Sequence, residues 1–272
     1  MTRGDLLEWL SLLARWVHVI AGIMWIGTTY LFNWMERTLT PPEGPGKENI
    51  AGELWMVHGG GFYLVEKQRW PEIMPRALHW FRWEAMTTWL SGMALLALVY
   101  WGGAPLLEYG SPVSRVQGVA VSLGVLVGGL AVYHLIWRSP LAEVEPAGAA
   151  VSWILVTALA WGLGHVLSDR AVYLHVGALF GTIMVTNVWM IILPNQARMI
   201  AITKAGGTPD QRLAALAGRC SKHNTYMSVP LIFTMISTHG AALTYGRPCG
   251  WAVLSGVVLV GWAAAKLIRD VL

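Results

Sequence analysis

The chain has 272 residues, of which 55% are hydrophobic and only 12% charged, less than half the roughly 25% charge usual in soluble domains. That balance excludes an ordinary soluble globule. The net charge of +4 is explained by basic residues gathered in loops on one side of a membrane and calls for no nucleic-acid partner.

A bilayer core takes about 20 mostly apolar residues per spanning helix. Windows of that kind at 8–34, 80–101, 115–137, 148–168, 171–193, 224–245 and 250–269 predict an all-α polytopic bundle of about seven transmembrane helices, one membrane domain over 1–272. The first window is too long, and too polar at Asn33, Glu36 and Arg37, for a cleaved signal peptide. Trp9, Trp34, Trp80, Trp101, Trp137 and Trp251 fall near window ends, where an amphipathic ring prefers the headgroup layer. Most of the nineteen basic residues lie in alternate loops. The positive-inside rule then predicts a bacterial inner-membrane protein with its N-terminus outside and its C-terminus cytoplasmic.

Two cytoplasmic connections are long, 35–79 and 194–223, and loops of that length are often functional. In the first, Gly52–Gln68 carries Trp55, Met56, Phe62, Tyr63 and Leu64, a composition that predicts an amphipathic helix on the cytoplasmic side. In the second, Thr208-Pro209-Asp210-Gln211 predicts a helix start with proline at its first position. Cys220 and Cys249 stand alone, with no CxxC or CxxCH in the chain, so neither a thiolate metal site nor covalent c-type haem is indicated.

Ionisable groups inside a bilayer are costly and usually face a cavity, a cofactor or a partner, which makes the eight histidines the most informative set. The predicted topology sorts them into an outer layer, His18, His165, His175 and His239, and an inner layer, His58, His79, His134 and His223. Arg15, His18, Gly22, Trp25 and Thr29 share one helical face, and the glycine one turn on leaves room for a flat group such as a haem edge. Close helix packing explains the same pattern, with His18 hydrogen-bonding across the seam. Glu84 leads a run of Thr87, Thr88 and Ser91 into the second window and suits a proton carrier or general acid; an interfacial salt bridge to Arg82 or Arg76 is the alternative. His223-Asn224 opens the sixth window, His239 closes it, and Pro230 lies between them.

The strings Arg15-Trp16-Val17-His18, His58-Gly59-Gly60-Gly61-Phe62-Tyr63, His79 through Gly92 and Ser221 through Tyr226 resemble the membrane domain of the bacterial cytochrome c-linked urate oxidase family. That resemblance implies oxidation of urate to 5-hydroxyisourate, with electrons passing to a cytochrome c. These 272 residues hold no CxxCH, so the acceptor is expected on another protein. The resulting expectation is a membrane oxidoreductase in which b-type haem iron is held by His18 with His175 or His239. His58, His79, Glu84, His223 and Asn224 would bind and deprotonate the small-molecule substrate on the inner side. The alternatives are a haem-bearing electron-transfer anchor for a dehydrogenase partner, or a transporter.

Overall fold

The computed structural model describes residues 2–69, 78, 81–246 and 248–271. Its first helix, α1, runs Arg3–Thr38 and opens with a capping box, Thr2 Oγ1 accepting from the Asp5 N–H and the Asp5 carboxylate from the Thr2 N–H at 2.7 Å, so that two otherwise orphaned donors are satisfied. Only Ala21 and Trp25 of α1 are buried, and Leu12, Trp16 and Ile23 point outward. An apolar helix with so little protein around it is suited to lipid. At 1.5 Å per residue it extends about 54 Å, so its last turns run beyond the predicted window.

The amphipathic helix expected over Gly52–Gln68 is not what forms. That stretch is an antiparallel hairpin, β1 (Ile50–His58) and β2 (Gly61–Gln68), with Val57 opposite Phe62 and His58 opposite Gly61. The reason is local: Gly59 and Gly60 both have positive φ, 59° and 80°, the backbone of the two-residue turn whose twist matches paired strands. Glycines that terminate a helical reading are thus what closes the hairpin. It is anchored to the end of α1 by the Thr40–Glu53 bridge, by a Lys47–Glu53 contact of 2.5 Å and by Lys67 on Glu36.

The remaining elements are helical. α2 (Trp83–Leu95) continues through a π-helical turn, Leu96–Trp101. α3 (Arg115–Arg138) begins with a second capping box, Ser114 with Gln117, and α4 is Glu145–Leu163. α5 (Asp169–Thr186) passes through a π turn, Asn187–Ile192, into α6 (Leu193–Lys204). Pro194 explains that widening: it has no N–H for the Met190 carbonyl, and its ring would clash there in an unbroken α-helix. α7 (Gln211–Ile236) is capped by Asp210, so Pro209 precedes the cap rather than occupying the first helical position. It gives way to a 3₁₀ turn, Ser237–Leu243, within the sixth predicted window, and α8 is Gly250–Asp270.

Among the described residues, five helices are long and apolar enough to cross a membrane: α1, α3, α4, the continuous Asp169–Lys204 helix and α8. α2 with its π turn and α7 occupy the other two windows; Arg212, Arg219 and Lys222 make the first half of α7 too polar to meet the same standard. At the centre stands α5, with Tyr173, His175, Val176 and Met184 almost wholly buried and α2, α3, α4, α7 and α8 around it. Small residues let the backbones approach. A Cβ on Gly177 would lie 2.1 Å from Thr234 Oγ1, one on Gly129 2.6 Å from Leu179, and one on Gly261 2.8 Å from Pro230.

Candidate functional site

His18 faces the α1–α2 seam, where its ring packs on Gly92 and Nδ1 lies 2.8 Å from the Thr88 carbonyl and 3.2 Å from Ser91 Oγ. A carbonyl only accepts, so Nδ1 carries the proton and Nε2 is the free lone pair. Gly22 serves the same seam: its nearest neighbour for an added Cβ is Thr88, at 3.8 Å.

His175 is in the α3–α5 seam and has no exposed surface. Nδ1 donates to the Ala171 carbonyl at 2.7 Å, which leaves Nε2 to accept from Ser122 Oγ at 2.6 Å; Trp101 Nε1 in turn donates to that hydroxyl at 2.8 Å. Both imidazole nitrogens are therefore used. His239 is exposed in the 3₁₀ turn after α7, its Nδ1 bonded to the Ile236 carbonyl at 3.1 Å. The expected haem ligands thus take their bonds at three separate places: His18 and His239 each set Nδ1–H on a backbone carbonyl, the donor arrangement of a typical ligating histidine, whereas His175 has both nitrogens engaged. His175 would have to surrender its bond to Ser122 before it could bind iron. The three side chains as placed do not fit an axial pair that includes His175.

The inner set is partly assembled. His223 and Asn224 stand side by side on α7, and Asn187 joins them to α3. Its amide donates both to Tyr133 Oη at 2.9 Å and to Asn224 Oδ1 at 3.0 Å, while Asn224 Nδ2 donates to the Met184 carbonyl at 3.1 Å. Tyr133 Oη also lies 2.9 Å from His223 Nδ1. The phenol oxygen, which already accepts from Asn187, can either donate to His223 Nδ1 or accept from it, so both neutral tautomers of His223 are compatible with this contact. Two further bonds link α1 to α7 in this region, Tyr30–Ser228 at 2.9 Å and Asn33–Thr225 at 3.2 Å.

Glu84 approaches the same depth from α2. Trp83 packs edge-on against Trp189, with ring centres 5.5 Å apart, and Trp89 Nε1 donates to Thr182 Oγ1 at 3.1 Å. These contacts run α2 antiparallel to the long helix and set Glu84 level with Asn187 and Val188. Arg82 lies over both indoles, 5.5 and 5.8 Å from their centres. Glu84 Oε2 on α2 and Asn187 Oδ1 and Trp189 Nε1 on the π turn are among the buried polar atoms of the described residues that have no hydrogen-bond partner. Unsatisfied buried polar atoms are uncommon and call for an explanation.

The other expected site residues lie elsewhere. His58 is exposed at the hairpin tip, away from His223, because the glycine turn carries it off the bundle. His79 lies outside the described residues. His134 stacks beside Tyr133 and His165 against Trp161, as edge histidines. Tyr133 was not legible as a site residue, since a tyrosine in an apolar span has no spacing signal. Asn187 gave one, as an amide near the end of the fifth apolar window.

A family model described as urate oxidase N-terminal matches residues 4–270, which takes in every element described above. No curated protein and no solved structure matches the chain. On that match, which covers nearly its whole length, the chain belongs to the urate oxidase N-terminal family.

Proposed function

We propose that the protein oxidises urate to 5-hydroxyisourate beside Glu84 on α2; the observation that carries this reading is the family match over residues 4–270, with the unpaired buried oxygen of Glu84 as the candidate base. Urate is a flat ring bearing several N–H donors and carbonyl acceptors. Glu84 Oε2 and Asn187 Oδ1 are acceptors for its N–H groups, and Trp189 Nε1 is a donor for a carbonyl. The Trp83 and Trp189 rings with Arg82 across them offer flat surfaces for a flat substrate.

In this reading Glu84 holds and removes a ring proton, and a carboxylate at hydrogen-bonding distance from that proton suits general base catalysis. Asn187 and Asn224 orient the ring. The reaction adds the oxygen of one water and releases two electrons and two protons. A separate cytochrome c is the acceptor the family resemblance implies.

The test is urate consumption by the purified protein in lipid nanodiscs, with ferricyanide or cytochrome c as acceptor. Urate should disappear only when acceptor is present, and Glu84→Gln should lower the rate by about 10²-fold or more, the usual contribution of a general base. Glu84→Gln with wild-type turnover would remove Glu84 from the chemistry.

A further inference from the structure

A cavity of about 680 Å³ opens between α3, α4, α5, α7 and α8, on the far side of α5 and α7 from Glu84. It follows α3 from Val121 to Trp137, about 24 Å of helix at 1.5 Å per residue. Its inner wall is apolar and buried, with Val125, Phe180 and Ile183 in it. Its outer rim is not closed by protein. Val132 on α3 and Leu155 on α4 both line it and both stay exposed, at 41% and 42%. Gly124 and Gly128, one turn apart on α3, widen the gap: an added Cβ at either would meet no atom within 4 Å. α3 and α4 are each long and apolar enough to cross a membrane, so a trough opening outward between them faces the hydrocarbon of the bilayer along its length.

One end of this trough is charged, and the balance there is positive. Lys222, His223 and Tyr226 on α7 meet Trp137 on α3 and Glu145 at the start of α4. Glu145 is committed to Lys222 at 2.5 Å, so that pair is neutral as a unit. Arg219, one turn before His223 on α7, acts on the His223 ring together with Lys222, and Arg138, the last residue of α3, acts with Arg219 on Cys220. Neither arginine forms an ion pair among the described residues, and Glu143 in the turn between α3 and α4 pairs with neither. Two guanidinium groups are thus left over where the trough ends.

We propose that the trough is a binding site for an anionic phospholipid, with an acyl chain along the glycine-lined groove of α3 and the phosphate between Arg138 and Arg219. The forked guanidinium donors match the oxygens of a phosphate, and basic pockets between spanning helices suit anionic headgroups. Trp137 at this end has the amphipathic ring that prefers the headgroup level. Charge selects the lipid: a zwitterionic headgroup would bring a cation of its own to two arginines that lack an anion. A purine does not fit, because its ring polar groups would be left unpaired along the apolar wall. The fit is the same for either tautomer of His223, and it stands apart from the urate reading, since it needs only the membrane-length helices and the two arginines.

Native mass spectrometry of the full chain, delipidated in detergent, tests this by titration with phosphatidylglycerol, with phosphatidylcholine of the same acyl chains, and with glycerol 3-phosphate as a headgroup without a tail. Phosphatidylglycerol should fill one saturable site about tenfold or more tighter than phosphatidylcholine, and Arg138→Gln and Arg219→Gln should each weaken it by about fivefold. Gly128→Leu should weaken it by about tenfold while the unfolding temperature in lipid-free detergent stays that of wild type. Equal affinity for the two phospholipids, or unchanged phosphatidylglycerol affinity when both arginines are replaced, overturns the headgroup assignment. Unchanged affinity in both Gly128→Leu and Gly124→Leu, or glycerol 3-phosphate binding as tightly as the whole lipid, overturns the acyl-chain groove. Urate turnover enters none of these readouts, so loss of the urate reading leaves the lipid site standing and loss of the lipid site leaves the urate reading standing.

Discussion

Asn187 is the residue on which three helices depend. It is fully buried at the start of the π turn, and one amide group serves both Tyr133 on α3 and Asn224 on α7. Asn187→Leu keeps the volume and removes both bonds, which should cost about 1–3 kcal/mol for each buried partner left unsatisfied. Thermal unfolding in a fixed detergent measures this; a midpoint equal to wild type would show that the network contributes nothing to stability. Asn187 was visible in the sequence as a polar residue near the end of the fifth apolar window, but its partners were not. The bonds to Tyr133 and Asn224 cross 54 and 37 residues of chain, and no local period connects such positions. The histidines show the converse. His18 fell on a polar helical face, as read from its spacing, yet the same spacing could not tell a ligand from a seam residue. The structure shows His18 bonded across the seam to Thr88 and Ser91, and finds His175 satisfied at both nitrogens.

Among the elements, the helices were legible and the hairpin was not. Apolar windows of membrane length recur in α1, α3, α4, α5 and α8 because a bilayer demands length and hydrophobicity together, and both are properties of composition. The hairpin depends on two glycines at positive φ, and the residues flanking them have an aromatic composition that suits either a helix or a strand. Its anchor to α1 is electrostatic. The Lys47 ammonium, hydrogen-bonded to Glu53 with help from the Glu43 N–H, holds the Glu53 carboxyl below the ordinary carboxylate range. A depressed carboxylate contributes its stability fully above its unfolded value and loses it as pH falls through the lowered one. Acidification should therefore loosen β1, read as faster amide exchange at Leu54 after correction for the intrinsic rate, and Lys47→Met should move that loosening to higher pH. An identical acid profile in the two proteins would rule out the ion pair as the anchor. At the α5–α7 seam, Gly177→Val drives a side chain into Thr234. It should destabilise the fold by about 1–3 kcal/mol, whereas Gly128→Leu, facing open cavity, should leave the unfolding temperature unchanged.

At the scale of the whole molecule, α5 divides the bundle into two sides with different chemistry. Toward α1 and α2 lie Glu84, with an unpaired carboxylate oxygen, and the bonds of His18 to Thr88 and Ser91. Toward α3 and α4 lies an apolar trough ending in His223, Lys222 and Glu145. The two meet in the side chains of α5 and α7, where Asn187 and Asn224 are bonded to one another. His175 and His223 do sit in different polar clusters, but the more informative division runs across the bundle, from the α2 side to the α4 side. Sequence depth estimates could not reveal it, because they order residues along the membrane normal and say nothing of which neighbour each helix faces.

The most direct test of the central claim is a single-turnover experiment with purified protein in lipid nanodiscs, following urate absorbance against acceptor reduction in wild type and Glu84→Gln. The account predicts one urate lost for every two electrons delivered, with 5-hydroxyisourate as the product and little turnover in Glu84→Gln. A folded wild-type protein that leaves urate untouched with ferricyanide and cytochrome c alike would contradict it.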